Sequence, residues 1–142
     1  MAEASFADLR ELARELASRD AGLGDALGEA RAAAERLRGR AVSAVAAFSA
    51  EASSQGAGHL GHIEVSAVEP DEKHVDAWQL HVRRGRWEIA CVVKARGQIT
   101  LVGPYKRFKA ETPCRDVPFD GPETERGFDG LLLSLLREAS SR

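Results

Sequence analysis

The sequence predicts an α+β protein: an N-terminal helical hairpin, a four-stranded antiparallel β-meander, and a C-terminal amphipathic helix packed on the sheet. Three observations carry this expectation. Residues 6–48 place apolar side chains at three- and four-residue steps, the period of a helix face. Residues 62–101 alternate apolar and polar side chains between short glycine turns, the mark of strands joined by hairpins. Residues 128–139 return to helical spacing with a wide apolar stripe. At 142 residues the chain is most simply one domain, with a helical segment over 1–55, a sheet over 59–110 and a helix over 120–142.

The first helix is expected to start at Ser5, with Asp8 as the second member of a capping pair. Its stripe is Phe6, Leu9, Leu12 or Ala13, and Leu16, and Glu15 and Arg19 add a favourable four-residue ion pair. The stretch RDAGLGD reads as a connection, because it holds two glycines in three residues. Asp25 then caps a second helix that runs to about Ser53. Its heptad seam runs from Leu23 to Phe48, and half of the seam positions are alanine. Alanines let backbones approach closely but bury little area each, so this seam needs a partner. Gly39 is expected to mark a close approach or a bend. SSQGAG, residues 53–58, ends the helix.

In the first strand Ile63, Val65 and Ala67 share one face, and His62, Glu64 and Ser66 the other. EPDEK makes a turn. Trp78, Leu80 and Val82 lie on one face of the second strand, and Trp87, Ile89, Cys91, Val93 and Ala95 on one face of the third. Ile99 and Leu101, with Tyr105, continue that face on the fourth, where Gly103-Pro104 ends the strand or introduces a bulge. A short edge strand is expected near Lys106–Ala110. Pro122 suits the first position of the last helix, whose stripe is Phe128, Leu131, Leu132, Leu135, Leu136 and Ala139. That stripe is expected on the Trp78/Trp87 face of the sheet.

All four histidines lie between His59 and His81. His59 and His62 have a metal-like spacing, but zinc sites combine two such pairs and only one is visible. A His81–Glu64 pair across strands has no nucleophile elbow, phosphate loop or oxyanion motif beside it. No catalytic, metal or cofactor site is therefore assigned, and the chain is expected not to be an enzyme. Cys91 alternates with core residues, whereas Cys114 is expected at the surface. No run approaches the roughly 18 apolar residues of a membrane span, and the charged N-terminus carries no secretory apolar region. A cytoplasmic location with reduced thiols is expected.

The composition is that of a folded chain, with 44% hydrophobic and 30% charged residues. The expected function is a non-enzymatic protein-interaction module, a homo-oligomeric adaptor or chaperone-like protein. The partners would be a second copy and another protein. The seam residues Leu37, Ala41, Ala44, Val45 and Phe48 are the candidate homodimer interface. Support comes from the mixed second face of the sheet, with Val68, Ala77, Ala90 and Val92 among its residues. The alternative is weak nucleic-acid binding through Arg83, Arg84, Arg86, Lys106, Arg107 and Lys109, with Tyr105 and Phe108 interleaved. A net charge of −2 argues against that alternative. A third reading, a small-ligand binder or an enzyme, has no motif behind it.

Overall fold

A computed structural model describes residues 5–71, 76–106 and 113–140. The chain is α+β, with a long N-terminal helix, a six-stranded antiparallel sheet and a C-terminal helix. Helix α1 spans Phe6–Ser54, 49 residues without a break. The expected capping pair closes its start: Asp8 N–H donates to Ser5 Oγ at 3.2 Å, and Ser5 N–H donates to Asp8 Oδ2 at 3.1 Å.

The expected helical hairpin is thus replaced by one helix, and Asp25 caps nothing. The physical reason lies in the phase of the apolar positions. Steps of three and four run from Phe6 through Leu9, Ala13, Leu16, Asp20 and Leu23 into the Leu27–Phe48 seam without a slip. A hairpin would fold the first stripe onto that seam. The sheet already occupies it: Ala30, Ala34, Leu37 and Ala41 are buried with Leu80, Val82, Ile89 and Cys91 in one core. Gly22, Gly24 and Gly28 lower helix propensity without stopping the helix, and Gly39 sits in open space instead of at a close approach.

A 3-10 turn over Gly58–Gly61 leads into the sheet. Its strands are β1 (Glu64–Val65), β2 (Glu69–Pro70), β3 (Ala77–Arg84), β4 (Trp87–Lys94), β5 (Gln98–Lys106) and β6 (Cys114–Pro118). The order is β1-β3-β4-β5-β6, with β2 also pairing β3. The expected four strands become six for two local reasons. The first strand is split, because its register against β3 shifts by one residue between Val65↔Val82 and Glu69↔Gln79. That slip turns Val68 toward the core and leaves Ala67 exposed, the reverse of simple alternation. The sixth strand, CRDVP, pairs Val117 with Ile99 at the far edge. Of the edge strand expected near 106–110, Lys106 ends β5 and the remainder lies outside the described residues.

Gly85-Arg86 joins β3 to β4, with Gly85 at φ +60°. In β5, Gly103 at φ +117° carries a bulge opposite Ile89, as one of the two expectations for Gly103-Pro104 had it. A Cβ there would lie 3.0 Å from Glu88 O and 3.2 Å from Ile89 Cα, so only glycine fits.

Helix α2 (Pro122–Ser140) starts at the expected proline. Phe128, Leu132 and Leu135 are buried against the sheet face that carries Leu80, Val82, Ile89 and Leu101, and Trp78 and Trp87 pack at the margin of that core. Both helices lie on this one face. Arg40 on α1 donates to Asp129 on α2 through Nε and Nη2, each at 2.7 Å. The bonds from Arg40 hold the Asp129 carboxyl below its ordinary range. The opposite face carries Gln79, His81, Arg83, Glu88, Ala90 and Val92, and neither helix covers it. No helix among the described residues is long and apolar enough to cross a membrane.

Candidate interaction surface

Helix α1 has two halves with different surroundings. From Ala30 onward its apolar face is in the core, whereas every residue from Ser5 to Asp25 is exposed. The change falls at Trp78. Its indole N–H donates to the Leu27 carbonyl at 3.1 Å, and the Arg31 guanidinium lies 5.0 Å above the ring. N-terminal to that clamp, the helix projects past the sheet. Phe6 is 82% exposed, Leu9, Leu12 and Leu16 lie between 49% and 55%, and Leu23 is 39% exposed. Five large apolar side chains share one helix face, interrupted by Asp20, unlike the scattered exposed leucines of an ordinary surface.

The candidate interface residues divide differently from expectation. Leu37 is 5% exposed and Ala41 fully buried, and both pack on the chain's own sheet, so neither is available to a second subunit. Ala44 is partly buried against the same core. Val45 and Phe48 are half-buried, and the Phe48 ring lies 5.9 Å beneath the Arg84 guanidinium. The sheet therefore takes the seam half that was expected to face a partner. The uncovered half is the N-terminal one, and the signal for it was the heptad phase that continues through Asp20.

On the open sheet face a polar cluster surrounds Glu88, which is 6% exposed. Arg83 donates to Glu88 Oε1 through Nη2 at 2.6 Å and through Nε at 3.2 Å, and the Tyr105 hydroxyl donates to Oε2 at 3.0 Å. Tyr105 stands there because the Gly103 bulge moves it opposite Glu88 and off the core face expected for it. Its phenol is raised well above the ordinary value, first by burial and then by the Glu88 charge. His81 Nδ1 lies 3.5 Å from Glu88 Oε1 without a hydrogen-bond partner among the described residues. The His81–Glu64 pair considered from sequence is not formed. The register sets Glu64 opposite Arg83, 3.7 Å between charged atoms, although Glu64 and His81 line one cavity of about 290 Å³.

Most of the described basic residues proposed for nucleic acid make contacts within the chain. Arg83 serves Glu88, Arg84 donates to Ser140 Oγ at 2.8 Å, and Lys106 Nζ lies 5.3 Å above Trp87. Arg86 is exposed in its turn, and Arg107, Phe108 and Lys109 lie outside the described residues. His59 lies within the 3-10 turn and His62 caps its end, both exposed, and His74 lies outside the described residues. Among the described residues no three His, Cys, Asp or Glu side chains come together as a metal would need. Cys91 is buried, which pushes its thiol up to about 12, and Cys114 is exposed.

Comparison with protein-family models, curated proteins and solved structures finds no match to this chain.

Proposed function

We propose that the protein is a non-enzymatic interaction module that docks a partner helix along the projecting half of α1. The observation that supports this reading is the exposed stripe Phe6–Leu23, which keeps the heptad phase of the part of α1 already packed in the core. A helix with apolar side chains at core spacing gains by meeting another helix, because each large side chain buried stabilises the contact by about 1.5–3 kcal/mol. The polar cluster on the open face reads as internal satisfaction of a buried carboxylate, since Glu88 is held by Arg83 and Tyr105. Nucleic-acid binding has less support, with Arg83, Arg84 and Lys106 committed to contacts within the chain.

The test is site-specific photocrosslinking in the producing cell, with the crosslinker at Leu9 or Leu16 and, as controls, at the exposed Val42 and Leu133. Docking predicts discrete protein crosslinks from the stripe positions that the controls do not give. Equal patterns from all four positions would refute the reading.

A further inference from the structure

The docking role proposed above leaves open whose helix is docked. We infer that it is the same segment of a second copy of this chain, lying antiparallel to the first. Three features lead there.

The first is the position of the sheet. It lies on the same side of α1 as the stripe, beginning at Ala30. Two arms paired in parallel would bring two sheets to the same level between the same two helices. Antiparallel arms send the two bodies to opposite ends and leave the stripe clear.

The second is Asp20, the polar residue in an otherwise apolar seam. A parallel pair sets Asp20 against Asp20 of the second copy, two like charges in one core layer. In an antiparallel pair centred between Arg14 and Glu15, Phe6 faces Leu23, Leu9 faces Asp20, and Ala13 faces Leu16. The twofold axis repeats each layer, and every carboxylate meets a leucine instead of its twin.

The third is the flanking charge. The residues bordering the seam over this stretch are Arg10, Leu12, Ala17 and Arg19, so the border holds cations and no acid. The antiparallel register carries Arg10 to within one residue of the level of Asp20 of the second copy, on the side of the seam toward which Asp20 leans. The small Ala17 leaves room for the guanidinium. Two symmetric Arg10–Asp20 ion pairs result, and Leu12 covers the stem of Arg19 of the second copy. The arm thus carries both halves of its own charge complement.

The test is the solution mass of the full chain by sedimentation equilibrium, from the low micromolar to the submillimolar range. The wild type is expected to pass from one chain to two. Leu16→Asp is expected to remain folded, because Leu16 is exposed in the single chain, and to lose the dimer. Arg10→Asp and Asp20→Arg are each expected to weaken association about tenfold or more by placing like charges together, and the double variant to recover it. Recovery is specific to the antiparallel register, since a parallel pair never brings these two residues together. A one-chain mass across the range, a dimer that survives Leu16→Asp, or a double variant no better than the singles would each overturn the inference. If the wild type stays a single chain while the stripe crosslinks to another protein, self-pairing fails and the docking role stands. If neither occurs, both fail.

Discussion

Tyr105 reaches Glu88 because of a glycine two positions earlier. The bulge at Gly103 adds one residue to β5, and the register changes from Ala90↔Val102 to Glu88↔Tyr105. Gly103→Ala places a Cβ 3.0 Å from a backbone oxygen at a φ that L-residues avoid, and is expected to cost about 1–3 kcal/mol. A denaturation midpoint equal to wild type would show that β5 has another way to bend. The hydroxyl itself gives a pH prediction. The folded chain holds the Tyr105 proton more tightly than the unfolded chain does. Its contribution is complete below the ordinary phenol pKa of about 10 and falls as the pH rises through it. Tyr105→Phe should cost about 1 kcal/mol at neutral pH and flatten the alkaline fall in stability. An unchanged alkaline slope would assign that fall elsewhere. Cys91 and Cys114 differ in burial: a maleimide is expected to label the exposed Cys114 in the native protein and the buried Cys91 only on unfolding, read by mass spectrometry.

Helix α1 shows how far local rules reach. Its cap and its C-terminal end follow from residue types and spacing, whereas the partner of its second half does not. The break expected at RDAGLGD does not occur, because glycine content is a local signal and heptad phase a longer-range one. Two glycines cost the helix at most about 2 kcal/mol, and the helical phase runs through them without a slip. A Cβ added at Gly22 or Gly24 would point into open space, so Gly22→Ala and Gly24→Ala are each expected to raise helix stability by up to ~1 kcal/mol. Slower amide exchange over the arm would confirm it, and unchanged exchange would show that these glycines do not limit the arm. In α2 the apolar stripe identified its buried face directly: Phe128, Leu132 and Leu135 are the buried residues of the stripe. Leu135→Ala, at a fully buried position, should cost ~2–5 kcal/mol in chemical denaturation.

At the scale of the whole molecule, the α+β class and the sheet's core face were legible from period alone. Leu80, Val82, Ile89, Cys91, Val93, Ile99 and Leu101 all point where alternation places them. Period placed α2 on the Trp78/Trp87 face but could not supply what α1 packs against. Both helices lie on the face that carries Leu80, Val82, Ile89 and Cys91. The same limit hid the stripe, since an exposed and a buried heptad look alike in sequence. One property of this shape bears on any measurement of assembly. A helix of 49 residues is roughly 73 Å long, about twice the diameter expected of a compact chain of this size. Its drag in water is that of a rod attached to a small body. Even a single chain will therefore elute early from a sizing column, as though it were heavier. Elution volume alone would report two chains where there is one, so the mass has to come from scattering or sedimentation equilibrium.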